Sequence, residues 1–195
     1  MLPHDPEGVI RITEQSMEAI FLRFHARLVF YASEITDNEE QARDIVLTNF
    51  MDLWEGREKL AFNGEKPLQS YLYTCARNAA INYLKRSQTE QKALRGYKAI
   101  HPGVERQEDR DALVLKTEAI ARLSSAIETL PTQYKVTVEM ALAGKSNEEI
   151  ADALGIKEST VRSNMARAKS LLMKKFTGDL GVTLLLLSLG TAVHA

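Results

Sequence analysis

The residues best suited to do chemistry lie in the stretch GIKESTVRSNMARAK, Gly155 to Lys169. Arg162, Asn164 and Arg167 are of the types that make paired hydrogen bonds to guanine and adenine edges, while Lys157, Ser159, Thr160 and Ser163 can donate to phosphates. Wound as a helix, the stretch places Val161, Met165 and Ala168 on one thin apolar face. Thr160, Arg162, Ser163, Asn164 and Arg167 are then expected off the buried seam, and Lys169, Lys174 and Lys175 extend the basic surface. A helix divided in this way is suited to the major groove of DNA.

Such a helix needs a second element to hold it. Immediately upstream, SNEE (Ser146 to Glu149) has the spacing of a capping box and opens a two-turn segment that buries Ile150, Ala151 and Leu154 before Gly155 ends it. Two short helices joined by a tight glycine turn form the helix-turn-helix pattern. Further upstream, helical period runs through Ile120, Leu123, Ile127 and Leu130, is interrupted by Pro131, and continues through Tyr134, Val138 and Leu142 to Gly144.

The N-terminal part carries a second group of candidates. A first helix, about Ser16 to Ala32, has the stripe Met17, Ile20, Phe21, Phe24, Leu28 and Tyr31; TDNE (Thr36 to Glu39) has the spacing to cap a second, with Ala42, Ile45, Val46, Phe50, Leu53 and Trp54 inward and Gly56 as its stop. The polar loop FNGEKP leads to Pro67, placed for the first turn of a third helix, about Leu68 to Arg86, that buries Leu72, Cys75, Ala76, Ala79, Tyr83 and Leu84. Arg77, Lys85 and Arg86, beside Asn78, Asn82, Tyr71 and Tyr73, interleave cations with aromatics in the manner of surfaces that stack and track single-stranded nucleic acid. Core or rim tyrosines are the plainer reading of the same pattern. Between Ser87 and about Asp111 the apolar period fades, as expected of an exposed linker.

Composition narrows the remaining classes. With 195 residues, 45% of them hydrophobic and a formal charge of -1, the chain has an ordinary globular make-up whose local charge patches, not its total, select partners. Cys75 is the single cysteine, and His4, His25, His101 and His194 have no Cys, His or carboxylate at ligand spacing, so neither a disulfide nor a metal site is expected. There is no Gly-rich phosphate loop and no nucleophile elbow, which argues against an enzyme, and no cofactor is expected. No secretory signal is evident, the apolar run Val182 to Leu189 is far short of the roughly 20 residues a spanning helix needs, and a cytoplasmic location is expected. The tail TLLLLSLGTAVHA is expected either to cover apolar surface or to dock a partner.

QARDIVLTNFMDLWEG, LQSYLYTCARNAAINYLKR and the segment from Leu130 to Leu172, in that order, resemble the two-domain extracytoplasmic-function sigma factors of bacterial RNA polymerase. The likeness covers about Ser16 to Phe176. It implies an all-α chain of two small helical domains on a flexible linker: a three-helix region 2 over 14–88, a linker over 89–111, a four-helix region 4 over 112–177 and an apolar tail over 178–195. It further implies that region 2 binds core RNA polymerase and melts the minus 10 element of promoter DNA, that region 4 recognises the minus 35 element, and that an anti-sigma factor regulates the chain. By position, Asp44, Leu47, Phe50 and Trp54 fall on the polymerase-binding helix; Asn63, Gly64, Glu65 and Lys66 form the loop that captures a flipped base, with Arg77, Asn78, Lys85 and Arg86 beyond it; Lys157, Ser159, Thr160, Arg162, Ser163, Asn164 and Arg167 fall at the minus 35 contacts. Four positions depart from the family pattern. Leu47 stands for a glutamine and Thr48 for an acid, so Leu47 is expected to serve as an exposed apolar contact; Tyr71 stands for a tryptophan; Lys157 stands for a capping serine, which moves the cap by a residue or passes it to Ser159. A stand-alone helix-turn-helix regulator and a protein-interaction adaptor are the alternatives.

Overall fold

The computed structural model describes residues 2–94 and 107–176, with the backbone alone at 88–94 and 107–109. The linker centre and the apolar tail lie outside the described residues. The regular structure of the described residues is helical apart from one two-residue ladder and a short 3-10 turn. It divides into two compact units between Val114 and Leu115.

In the first unit, β1 (Ile10–Arg11) precedes α1 (Glu14–Thr36) and α2 (Glu39–Glu55). A 3-10 turn (Arg57–Lys59), β2 (Ala61–Phe62) and α3 (Glu65–Leu94) follow. The expected stripes form most of the core: Ile20, Phe24, Leu28 and Tyr31 of α1 pack with Ala42, Val46, Phe50 and Leu53 of α2 and with Leu72 and Ala76 of α3, joined by Leu68, whereas Ala79, Tyr83 and Leu84, expected inward on α3, are only half-buried. Tyr73 is also buried there, edge-on to Tyr31 with ring centres 4.9 Å apart. It is therefore core and has no free ring face for a base. Cys75 is only half-buried, and burial pushes its thiol above the ordinary range.

Several boundaries differ from the sequence expectation. Helix α1 begins earlier, because Thr13 caps it: the Thr13 hydroxyl accepts from the Ser16 amide at 3.2 Å and Ser16 Oγ accepts from the Thr13 amide at 2.8 Å. It also runs to Thr36, whose hydroxyl turns back onto the Ala32 carbonyl at 3.0 Å. That removes Thr36 as a cap for α2. Asp37 takes the left-handed conformation and Asn38 caps instead, accepting from the Gln41 amide at 3.0 Å. Helices α3 and α4 (Gln107–Ile127) both extend into the stretch expected as linker. Gln, Glu, Lys, Ala and Leu dominate SQTEQKAL and are good helix formers, so the fading apolar stripe there did not mark a helix end.

Two-residue strands are too short for alternation to show in sequence, and the ladder was not foreseen. β1 pairs antiparallel with β2 in the register Ile10 to Phe62 and Arg11 to Ala61. Leu2, Ile10 and Ile12 are buried in the first core, so the segment before α1 belongs to this unit.

In the second unit, α5 (Thr132–Leu142), α6 (Asn147–Leu154) and α7 (Glu158–Lys175) follow α4. Ala119, Leu123, Ala126, Ile127 and Leu130 pack with Val138, Ala168 and Leu172. A smaller cluster joins Ile150 and Ala151 to Val161. Leu142, expected in the α5 stripe, is exposed, and Thr137 with Val138 forms the inward face instead.

The expected box at the start of α6 is fully formed: Ser146 Oγ accepts from the Glu149 amide at 3.2 Å and Glu149 accepts from the Ser146 amide at 2.7 Å. The backbone amide of Ser146 is the main cause that holds the Glu149 carboxyl below its usual range. A depressed folded value means that this support for α6 is complete above the ordinary carboxylate range and is lost as pH falls through the depressed value. The protection of the Ser146 amide against exchange, relative to its intrinsic rate at each pH, should therefore fall on acidification through that window, and Glu149→Gln should remove that fall.

Candidate nucleic-acid interface

The turn between α6 and α7 is set by Gly155, at φ 65° and ψ 33°, where a side chain would be strained. The Ile156 amide closes it on the Ala151 carbonyl at 3.0 Å. Lys157 follows in extended conformation as the residue before α7, and it makes no side-chain cap. The cap has thus neither moved nor passed to Ser159, and the first turn of α7 carries Glu158 as its acidic complement to the helix dipole.

Helix α7 buries Val161, Asn164, Ala168 and Leu172. Lys157, Ser159, Thr160, Arg162, Ser163 and Arg167 are all exposed, as the sequence implied. Asn164 is not, at 8% exposure: its side-chain amide donates to Thr137 Oγ1 at 3.5 Å, and Thr137 donates in turn to the Gln133 carbonyl at 2.7 Å. The expectation that Asn164 faces DNA fails because its position shares the helix face of Val161 and Ala168, where a polar side chain is kept only with a partner. Its place is between α5 and α7.

Two residues outside the expected DNA-facing set touch the exposed arginines. Arg162 donates to Glu158 at 3.1 Å, one turn back on α7. Arg167 donates to the Tyr134 hydroxyl at 3.5 Å, and Tyr134 packs its ring on the second core. Helical i, i+4 spacing could have shown the first pair; the second joins residues 33 apart and needed the fold.

In the first unit, the expected loop from Asn63 to Lys66 is shorter than the sequence implied: Asn63 and Gly64 lie between β2 and α3, and Glu65 and Lys66 already open α3. Gly64 has φ 96°, its amide donates to the Phe62 carbonyl at 2.8 Å, Asn63 and Lys66 are exposed, and Glu65 pairs with Arg23 of α1. Asn78, Asn82, Lys85 and Arg86 lie exposed along one face of α3, and Arg77 is half-buried. At about 1.5 Å per residue, Asn78 is roughly 20 Å along α3 from Glu65. The loop and the helix face therefore form two stations along one helix, not a single pocket. Tyr71 packs tilted on Phe62 at 5.3 Å and is partly covered.

On α2, Asp44 and Leu47 point outward, Leu47 being 45% exposed, and Thr48 donates to the Asp44 carbonyl at 2.9 Å. Met51, not foreseen, is 63% exposed and lies one turn beyond Leu47. Phe50 is buried, and Trp54 is half-buried beneath the Arg57 guanidinium, 4.3 Å from the ring centre. Phe50 therefore shapes this helix from below and offers no surface of its own. No group of side chains among the described residues is arranged to hold a metal ion, and no described helix is long and apolar enough to cross a membrane.

The family described as Sigma-70 region 2 matches residues 20–90, and the family described as Sigma-70, region 4 matches residues 120–172. The chain belongs to the sigma-70 family. Among curated relatives, this sigma factor is 26% identical over 172 residues to the ECF RNA polymerase sigma factor SigL of Mycobacterium tuberculosis, covering 86% of this chain and 92% of SigL. It is 24% identical over 165 residues to the RNA polymerase sigma factor SigZ of Bacillus subtilis, covering 84% and 88% of the two chains. Among solved structures, the sigma factor RpoE in complex with the anti-sigma factor NepR from Bartonella quintana matches 83% of this chain and 97% of that one at 20% identity. Its TM-score of 0.36 is too low to carry an argument. The two regions of this sigma factor fall on the two compact units, and region 4 contains the helix-turn-helix.

The buried place of Asn164 has a measurable consequence. Asn164→Ala should lower the stability of the second unit by about 1 kcal/mol, the usual net worth of one hydrogen bond, while leaving base discrimination unchanged once the protein is folded. Thermal melting together with binding to single-base variants of a preferred duplex checks both halves.

Proposed function

We propose that this chain is a promoter-specificity subunit that joins core RNA polymerase through its first unit, opens the minus 10 element with that same unit and recognises the minus 35 element with α7. What carries the reading is the presence of both sigma regions in one chain, in order, each on its own compact unit. In this reading the outward face of α2, with Asp44, Leu47 and Met51, is the polymerase contact. The loop Asn63, Gly64, Glu65 and Lys66 receives an extruded base, and the exposed row Asn78, Lys85 and Arg86, with Arg77 at its edge, follows the single strand.

Arg162 and Arg167 contact base edges or phosphates of the minus 35 duplex, with Lys157, Ser159, Thr160 and Ser163 around them. Neither unit needs to bind tightly alone, because tethering two weak readers raises the effective concentration of the second once the first is bound. The chain works in the cytoplasm beside the polymerase, without a cofactor and without catalytic chemistry of its own, and a cognate anti-sigma factor would hold it inactive by covering these same surfaces.

The test is transcription from a candidate promoter by core polymerase with and without the purified chain. Initiation that depends on the chain supports the reading. Duplex binding without initiation would make the protein a stand-alone regulator, and neither activity would make it an adaptor. Within the same assay, Arg162→Ala should cost about 1 to 3 kcal/mol of binding on the preferred minus 35 sequence and relax selectivity at one base pair, as expected for a lost bidentate contact. Equal weakening on all sequences would place Arg162 on phosphate.

A further inference from the structure

Helix α7, ESTVRSNMARAKSLLMKK, contains one acid among its five cations, and that acid stands on the exposed side in the first turn. A carboxylate facing a polyanion opposes binding, so its presence on a DNA-facing helix needs a reason. Two are available. Glu158 complements the helix dipole where Lys157 supplies no cap, and it also accepts a hydrogen bond from Arg162 at 3.1 Å. Both side chains of this pair are about half exposed, at 46% and 58%, so the pair stands at the surface where DNA would arrive.

We propose that Glu158 is a positioning residue that sets the specificity of α7, by holding the Arg162 guanidinium in the orientation that meets a base edge and by discouraging it from settling on phosphate. This rests on the reading of α7 as the minus 35 helix. A free arginine satisfies itself on any phosphate within reach, which adds affinity on every sequence and discrimination on none. An arginine held at one end by a carboxylate has fewer orientations open to its remaining N–H groups. The carboxylate itself is repelled by phosphates and tolerated only where the arginine has found a matching edge. Glu158 thus gives up general affinity in exchange for selectivity. The same carboxylate can in addition accept from a cytosine amino group next to the base that Arg162 meets.

The experiment uses the full-length chain assembled with core polymerase to select a preferred duplex from a randomised library; if no assembly forms, the chain alone is used and the comparison is unchanged. Affinities for that duplex, its single-base variants and a scrambled duplex are measured across salt for wild type, Glu158→Gln, Glu158→Asp, Arg162→Ala and the Glu158→Gln/Arg162→Ala double variant. Glu158→Gln should bind the scrambled duplex about three- to tenfold more tightly and lose discrimination at the base pair that Arg162→Ala also affects. Its slope of log affinity against log salt should steepen by about 0.9, the increment for one more phosphate contact.

Glu158→Asp should lose discrimination at the same base pair as Glu158→Gln, since the shorter arm does not reach Arg162, but should gain less affinity for the scrambled duplex because the first-turn charge is kept. In the double variant, discrimination should be no worse than in Arg162→Ala alone. Wild-type discrimination in Glu158→Gln or in Glu158→Asp would overturn the proposal and leave Glu158 as a dipole-complementing charge. If Arg162→Ala alters discrimination at no base pair, the assignment of Arg162 to a base edge fails first, and the role of Glu158 falls with it.

Discussion

The arrangement of the second unit follows from how α7 is seated. One stripe of this helix must be buried in two separate places: Val161 against Ile150 and Ala151 of α6, and Ala168 with Leu172 among α4 and α5 residues. Those two anchorages fix the rotation of the helix about its axis. What remains exposed on the first half of the helix is Glu158, Ser159, Thr160, Arg162, Ser163, Ala166 and Arg167. The left-handed turn at Gly155 makes the double anchorage possible, because it brings α6 back onto the first turns of α7 without lengthening the loop. The buried contact of Asn164 with Thr137 then adds a polar match between α5 and α7, a constraint that only one rotation of the helix satisfies.

The first unit is arranged differently. Its three helices share one core, so each helix has only its outer side to offer. Helix α2 offers Asp44, Leu47 and Met51, with Phe50 beneath as part of the core. The α3 end of the unit offers the loop around Gly64 and, some turns further on, a cationic row. The loop is tied on both sides, by the ladder of β1 with β2 before it and by the pair of Arg23 with Glu65 after it. A partly exposed ion pair of this kind contributes little stability, and its effect is to limit where the start of α3 can go.

The family's polymerase contact pattern and the core pattern of α2 overlap in sequence, and the structure separates them. Phe50 and Trp54 satisfy both a packing reading and a docking reading on paper. In the fold Phe50 is spent on the core beside Phe21, with ring centres 5.0 Å apart, and Trp54 is half-covered by Arg57. Leu47, which departs from the family pattern, is the side chain left facing out, with Met51 one turn on. The outer face of α2 in this sigma factor is thus more apolar than the usual glutamine and acid would make it.

The sequence by itself determined the helices, most of their inward stripes, the division into two units, the Ser146 capping box and the Gly155 turn. These rest on spacing along a single helix, where residues three and four apart share a face whatever the rest of the chain does. It did not determine where α1 gives way to α2, since Thr36 and Asn38 are both able caps and the choice fell to the left-handed residue between them. Nor could it show that SQTEQKAL stays helical, that Ile10 pairs with Phe62, or that Tyr134 stands beside Arg167. Above all it could not say which side of α7 Asn164 would take. At that position the apolar stripe is thin, and asparagine suits a DNA-facing surface as well as a buried hydrogen bond; only the packing of Thr137 from another helix, 27 residues away, decided between them.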